Sequence, residues 1–317
     1  MTTNIKISAI ICTHNRPSYL KKAVQSLVGQ TLPKHEYEVI VVDNASTDDT
    51  KAVFEGFLHV QNLRYIYEPI LGLSQARNTG WQNAKGSYTA YIDDDAIACP
   101  EWLERIVHAF DTVKPAPGSV GGKVAPIWEA PRPEWLPKEL ETALTIIDWS
   151  DEPRFLSDEK EFLVGANVAY PRKILEETGG FSTNLGRKGK NLLSNDEILL
   201  KRYLRRQNLG SYYDPGICVQ HHVVPERLQK SWFYRRYLWQ GISDEIMTSL
   251  EASGTGRSLT HLRSAVSSTL VLLRCPSNIW TWVIPADTPE TILSKCKLHV
   301  QLGRIYAQIQ IGLGFLR

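Results

Sequence analysis

Ser87-Tyr-Thr-Ala-Tyr-Ile-Asp-Asp-Asp95 decides how this chain is read. Its first six residues form an apolar, β-favouring run, and that strand delivers three carboxylates, Asp93, Asp94 and Asp95, to its C-terminal end. Oxygen ligands suit hard divalent ions such as Mg2+ or Mn2+, which bridge one or two protein carboxylates to substrate phosphates. An isolated acidic triplet would usually be a turn that merely ends a strand. This one falls at the carboxyl edge of what reads as an open α/β sheet, where ligands bind.

Working outward, Ile5-Lys-Ile-Ser-Ala-Ile-Ile-Cys-Thr13 reads as a buried strand that runs into His14-Asn15-Arg16. Pro17 then opens a helix, at the position where its missing N–H costs least. Leu20, Ala23, Val24, Leu27 and Val28 recur at helical spacing and give that helix its buried stripe. A second strand, Glu38-Val-Ile-Val-Val42, leads into Asp43-Asn-Ala-Ser-Thr-Asp-Asp-Thr50, where Ser46 and Asp49 are spaced as a helix cap and its third-position partner. A third strand covers Leu63 to Tyr67, and a helix from about Ser74 to Ala84 precedes the acidic strand. The order β-α-β-α-β-α-β implies a parallel sheet covered on both faces. Its edge presents Thr13, Asp43 and Asp93, three strand ends able to hold a nucleotide without a glycine-rich loop. No G-x-G-x-x-G follows the first strand and no G-x-x-x-x-G-K-[ST] occurs, so dinucleotide and P-loop sites are disfavoured.

The chain has 317 residues and 43% hydrophobic content, enough for one large core or for a domain with an appendage. Its net charge of +2 hides an asymmetry: residues 198–317 hold 15 Lys+Arg against 7 Asp+Glu, which leaves 21 against 27 for residues 1–197. A basic tail suits anionic lipid headgroups or polyanionic glycan, and equally a solvated helix face. Nucleic acid is not among the expected partners. Cys12, Cys99, Cys218, Cys275 and Cys296 are scattered and odd in number, without a C-x-x-C pair. That argues against a disulfide framework or zinc site and for a reducing compartment. No signal-peptide pattern and no apolar stretch of about 20 residues is present. The expectation is a cytoplasmic protein, soluble or peripheral on the inner face of the cell membrane.

Past residue 125 the character changes. Ala125-Pro-Ile-Trp-Glu-Ala-Pro-Arg-Pro-Glu-Trp-Leu-Pro137 holds four prolines and two tryptophans and is no regular helix. Trp128, Trp135 and Trp149 suit either stacking on sugar rings or packing a loop onto the sheet. Phe162 to Tyr170 reads as a strand. Gly179-Gly180 ends a helix and frees the chain for close approach to a ligand. Residues 184–193 read as a mobile loop. Asn195-Asp-Glu197 opens a helix, where acids complement the helix dipole, and a carboxylate there is also able to take a proton from an acceptor hydroxyl. Adjacent helical residues point about 100° apart, so Asp196 and Glu197 are not expected to face such an acceptor hydroxyl equally. His221 and His222 follow a short strand, Gly216 to Gln220, and Trp232 to Gly241 reads as a helix.

Together these segments resemble a family 2 glycosyltransferase with the GT-A fold, closest to bacterial and cyanobacterial enzymes of exopolysaccharide type. Ile10-Ile-Cys-Thr-His-Asn-Arg16, Val41-Val-Asp-Asn-Ala-Ser-Thr-Asp48, Gly72-Leu-Ser-Gln-Ala-Arg-Asn-Thr-Gly80 with Ile92-Asp-Asp-Asp95, and Gly179-Gly-Phe181 with Asn195-Asp-Glu197 and His221 carry the resemblance. It implies an open, mostly parallel sheet flanked by helices, with a transferase domain over 1–244 and a helical C-terminal extension over 245–317. Residues 1–125 would be the nucleotide-sugar half and 126–244 the acceptor half.

The implied reaction moves one sugar, with inversion, from a UDP- or GDP-sugar to the hydroxyl of a glycan or lipid-linked acceptor. In that frame Thr13, Asn15, Arg16, Asp43, Asn44, Arg77, Asp93 and Asp94 bind the donor. Asp95, Asp93 and His221 hold a divalent cation, Mn2+ or Mg2+. Asp196 is the base with Glu197 as its competitor, and Gly179, Gly180 and Trp128 border the acceptor. The chain departs from the family pattern at Asn195 and Ile198, where acids are common. The basic extension, with Trp280 and Trp282, is expected to touch the membrane. A nucleotidyltransferase using a carboxylate-bound cation, or a catalytically silent glycan-assembly scaffold, are the competing functions.

Overall fold

The structure, a computed structural model, describes residues 5–158, 160–251, 257–274, 285 and 288–316. Its residues fall into two compact units. The first comprises Met1–Ile127, Thr145–Thr183 and Asp196–His222, and the second Trp128–Leu144, Asn184–Asn195 and Val223–Arg317. Sequence reasoning placed one cut after residue 244. The observed division is discontinuous and groups residues 223–251 with the C-terminal helices.

In the first unit, β1 (Ile7–Thr13), β2 (Tyr37–Asn44), β3 (Leu63–Glu68) and β4 (Tyr88–Asp93) alternate with helices α1 (Pro17–Val28), α2 (Thr50–Glu55) and α3 (Leu73–Gln82). These four strands are parallel, in register from Ile7 opposite Tyr37 to Thr13 opposite Asp43, with Cys12 opposite Asp93. Successive side chains on a strand point to opposite faces. Ile7, Ala9 and Ile11 therefore join one buried cluster with Leu20 and Leu27 of α1, while Ile10, Ile40 and Val42 join another with Ala76 of α3. Burial on both faces is why the strands read as continuous apolar runs.

The chain then adds β5 (Ala96–Ala98), α4 (Trp102–Thr112), β6 (Ser119–Trp128), β7 (Arg154–Phe155), β8 (Val168–Pro171), α5 (Arg172–Thr178), α6 (Asp196–Arg206) and β9 (Ser211–Val223). The sheet order is β3-β2-β1-β4-β8-β6-β9-β5, with β7 paired to β9. Pairing changes to antiparallel at β4–β8. That antiparallel half brings β9, from late in the chain, against β5, so that Ala96 lies opposite His221.

Four local expectations are corrected. Ser46 and Asp49 form no capping box: α2 starts at Thr50, whose N–H is accepted by Asp48 Oδ1 at 3.0 Å, and Ser46 Oγ accepts from Asn15 N instead. Phe162 to Tyr170 is strand only from Val168, because residues 162–167 turn to reach α6. The strand expected at Gly216 to Gln220 runs from Ser211 to Val223. Cys99 and Cys218 form a disulfide across the β5–β9 ladder. They are 119 residues apart in sequence, and sheet pairing that the sequence did not reveal brings them together. The bond is at odds with the expected reducing compartment.

In the second unit α7 (Lys230–Glu251), α8 (Arg257–Arg274) and α9 (Pro289–Gly312) pack together. Gly241 and Gly303 let α7 and α9 meet backbone to backbone. A Cβ at Gly241 would lie 2.0 Å from Val300 O, and one at Gly303 2.0 Å from Leu238 O. Glu245 of α7 gathers the other two helices, through His261 Nδ1 at 3.0 Å and Gln308 Nε2 at 3.2 Å. No helix among the described residues is long and apolar enough to cross a membrane. Trp280, Trp282 and Cys275 lie outside the described residues.

Asn167, fully buried, stitches the first unit together. Its Oδ1 accepts from Trp102 Nε1 at 2.8 Å, and its Nδ2 donates to Lys123 O at 3.0 Å and Ile217 O at 2.8 Å. Asn167→Ala takes the buried Trp102 and Ile217 groups' side-chain partner away, together with the half-buried Lys123 carbonyl's, and should cost about 3 kcal/mol of stability. The midpoint of a urea unfolding curve checks it.

Candidate active site

The carboxyl ends of β1, β2 and β4 meet in the first unit. Thr13, the last residue of β1, donates through Oγ1 to Asp94 Oδ2 at 2.8 Å. Arg16 reaches back from the turn after β1 and donates through Nη1 to Asp94 Oδ1 at 3.1 Å and Asp95 Oδ2 at 2.6 Å. Asp43, buried at the end of β2, accepts from Ser46 N at 2.9 Å and from the Tyr65 hydroxyl at 2.5 Å. Asn44 Nδ2 donates to Ile70 O and its Oδ1 accepts from Gly72 N, fastening the turn before α3. Asn15, with φ of 53°, accepts from Thr47 N on Oδ1 at 2.8 Å, so the loops after β1 and β2 lock together.

Beside this edge, single ligand atoms from Asp93, Asp95 and His221 all lie within 4.8 Å of one another. Asp95 and His221 are buried, and His221 Nε2 stands 3.1 Å from Asp95 Oδ1. His222 N donates to Asp95 O at 2.9 Å, so β9 sets the histidine against the acidic turn. His221 Nδ1 is buried and has no hydrogen-bond partner among the described residues. Burial first, then the neighbouring Asp95, pushes the Asp94 carboxyl up to about 6 despite Arg16. Two guanidiniums, Arg16 and Arg77, pair with the five acids Asp93, Asp94, Asp95, Asp196 and Glu197 among the described residues. This surplus of negative charge, with two carboxylates and an imidazole converging, fits a divalent cation. The mixed oxygen and nitrogen donors suit Mn2+ better than Mg2+, which prefers oxygen alone.

The third element is Arg77 of α3, a buried guanidinium. Its Nη1 donates to Asp196 Oδ2 and to Glu197 Oε1, both at 2.8 Å, and its Nη2 lies 3.8 Å from Asp93 Oδ1. Phe181 lies under the guanidinium, 5.4 Å from ring centroid to Arg77 Cζ. Ser74 Oγ donates to Asp196 Oδ2 at 3.0 Å, and Gly165 N to Glu197 Oε1 at 3.1 Å. Burial and then the Glu197 charge push Asp196 up to about 7. Burial also opposes ionisation of Glu197, but Arg77 outweighs it and holds that carboxyl below its usual range. Both acids thus meet at one Arg77 nitrogen, the longer Glu197 side chain swinging back to the atom that holds Asp196.

Residues 8–179 match the family described as Glycosyl transferase family 2, more than half of the chain. The chain belongs to that family. Among the relatives of this family 2 glycosyltransferase is the Haloferax volcanii glucosyl-dolichyl phosphate glucuronosyltransferase, 28% identical over 252 residues, covering 78% of each chain. Among solved structures, the mannosyltransferase PcManGT of Pyrobaculum calidifontis, in complex with GDP-Man and Mn2+, aligns with a TM-score of 0.57 at 17% identity. That alignment covers 99% of this chain and 76% of the other. TarS residues 1–349 of S. aureus with UDP aligns at 0.55 and 16% identity over 98% and 92% of the two chains. At such identities the structural likeness establishes the GT-A fold, as the sequence resemblance implied.

Among the residues singled out from sequence, Thr13, Asn15, Arg16, Asp43, Asn44, Arg77, Asp93, Asp94, Asp95, Asp196, Glu197 and His221 all lie in the first unit. Gly179 and Gly180 adopt φ of 74° and 80°. Gly180 comes close to α3, where a Cβ would lie 2.4 Å from Asn78 Oδ1, and the turn seats Phe181 under Arg77. Trp128 belongs to the second unit. Trp149 packs between both buried clusters of the first unit and donates to Phe162 O, a structural role. Sequence reasoning missed Ser74 and Gly165. Gly165 had a signal, since a glycine inside an apparent strand marks close backbone approach. A Cβ there would meet Arg77 Nη2 at 1.8 Å.

Replacing Asp95 tests the cation cluster. Asp95→Ala removes one ligand and leaves Asp93 and His221, so Mn2+ affinity should fall at least about 10-fold. Titration of Mn2+ into the protein, followed by the electron paramagnetic resonance of free Mn2+, reads this without turnover.

Proposed function

We propose that this protein is an inverting hexosyltransferase that uses a UDP- or GDP-sugar and a divalent cation to glycosylate a lipid-linked or glycan hydroxyl in surface-polysaccharide synthesis. The observation that carries this reading is the Arg77 bridge. One guanidinium joins Asp196, a carboxyl suited to proton transfer, to Asp93 of the cation cluster. A base and a leaving-group site must lie at one edge for a single in-line displacement. GDP-Man and UDP in the two structural neighbours support the donor class. The glucosyl-dolichyl phosphate in the relative's name supports a lipid-linked acceptor, and a peripheral place on a membrane goes with it.

Asp93, Asp95 and His221 would hold the cation, whose charge offsets the charge that builds on the departing diphosphate. Thr13, Asn15, Arg16, Asp43, Asn44 and Asp94 frame the nucleotide end. Arg77 and Ser74 fix Asp196 by Oδ2, and the acceptor proton would pass to Oδ1. Gly179 and Gly180 would border the acceptor. Arg77, sheathed in carboxylates, acts here by positioning Asp196 and by keeping Glu197 ionised. A panel of nucleotide sugars with Mn2+ tests the reaction class. Release of a nucleoside diphosphate supports it, and release of pyrophosphate would show nucleotidyl transfer instead.

Asp196→Asn keeps the volume but removes the base. Turnover should fall roughly 10²–10⁴-fold while donor affinity stays near that of the unaltered protein, since the loss lies in the chemical step. Single-turnover kinetics with separate donor titrations check both parts.

The raised Asp196 carboxyl also predicts a pH profile. The base works ionised, so kcat should climb as pH rises through about 7 and then level off. Glu197→Gln removes the negative neighbour and leaves the Arg77 charge to Asp196 alone, which lowers the Asp196 pKa. The acid limb should therefore move to lower pH, and a profile that stays put or moves up would contradict the assignment.

A further inference from the structure

Helix α8 is amphipathic in an unusual sense. Its inner face carries His261, which meets Glu245 of α7, and Ala265, both buried. Its outer face carries Val266, Leu270, Val271 and Leu273, with exposures of 62%, 46%, 66% and 61%. Large apolar side chains this exposed are individually ordinary, but clustering marks an interaction surface. Eight of the eleven exposed large hydrophobic residues among those described lie on α8 or at the end of α9 and just beyond it, where Tyr306, Ile309, Leu313 and Phe315 complete the set.

The charged side chains that α8 itself carries are of one sign. Helix α8 holds Arg257, Arg263 and Arg274 and no acidic residue over its 18 positions. Arg263, Val266, Leu270 and Arg274 recur at spacings of three and four, so one stripe reads basic, apolar, apolar, basic. A cationic helix with an apolar outer stripe suits the boundary between lipid headgroups and acyl chains. The apolar side chains enter there, and the guanidiniums stay with the phosphates. A protein partner would have to cover Val266, Leu270, Val271 and Leu273 while supplying acids at both ends of the stripe. An anionic bilayer supplies both at once.

We infer that the outer face of α8 is a docking surface for an anionic lipid bilayer, on which the helix lies without crossing it. This rests on the proposed use of a lipid-linked acceptor, which is confined to a bilayer, and names where the protein meets it.

The test uses the full chain and vesicle flotation, with phosphatidylcholine vesicles compared with vesicles that also contain phosphatidylglycerol. The unaltered protein should float with the anionic vesicles and lose that association at high salt. The double variant Leu270→Asp/Val271→Asp should partition at least about 10-fold more weakly, since two side chains that would enter the apolar layer become charged. Reversing the ends, Arg263→Glu with Arg274→Glu, should weaken binding to anionic vesicles about 10-fold or more and leave any binding to neutral ones unchanged. Circular dichroism and Mn2+ titration on each variant show that fold and cation site persist. Equal flotation of all three proteins, or none by the unaltered one, overturns the inference. A dimer in solution that Leu270→Asp/Val271→Asp splits, without flotation of either protein, assigns the face to a second copy and also overturns it. Neither result touches the proposed reaction, which is read from nucleoside diphosphate release by the same samples with a soluble acceptor.

Discussion

A single buried guanidinium organises the catalytic unit. Arg77 is almost wholly shielded from water, and an isolated charge in such a place would be very costly. Asp93 from the end of β4 and the pair Asp196 and Glu197 from the first turn of α6 offset that cost. The arrangement binds in both directions: removing Arg77 strands a buried acid pair, and removing both acids leaves Arg77 with Asp93 alone, at 3.8 Å. Much of the surrounding backbone follows from it. The chain turns at Gly165 because no side chain fits beside the guanidinium, and the two left-handed glycines at 179 and 180 place the Phe181 ring beneath it.

The same network separates two carboxyls that are neighbours in sequence. Glu197 takes Arg77 and a backbone N–H and stays ionised; Asp196 takes Arg77 and a hydroxyl and is pushed towards neutrality. Pushing paired acids apart in this way gives one of them a proton affinity matched to work near neutral pH. The other keeps the pair from becoming uncharged, which would leave the guanidinium without a counter-ion.

The parallel half of the sheet was legible in the sequence because its cues are local. Unbroken apolar runs, Pro17 at a helix start and the acidic triplet at a strand end each need only a few neighbouring residues. Arg77, Asp196 and His221 were reached through motif resemblance, but the pairings of Arg77 with Asp196 and of His221 with Asp95 were not, since they join segments far apart in the chain. Residues 162–167 read as strand because Leu163, Val164 and Ala166 satisfy an apolar pattern whatever the backbone does. Ser46 and Asp49 had the spacing of a cap, yet Ser46 was drawn to Asn15, a loop contact across 31 positions. Long-range partners of this kind leave no periodic trace.

The Cys99–Cys218 bond spans the two strands that flank the cation cluster. Asp95 lies four residues before one sulfur and His221 three after the other, so two of the three candidate cation ligands, an oxygen and a nitrogen donor from distant parts of the chain, share one covalent crosspiece. The spacing of the cation ligands is thereby tied to sulfur chemistry outside the ligand set. Exposure to thiols would therefore reach a pair of candidate donors that no thiol touches, by cutting the covalent tie between their strands.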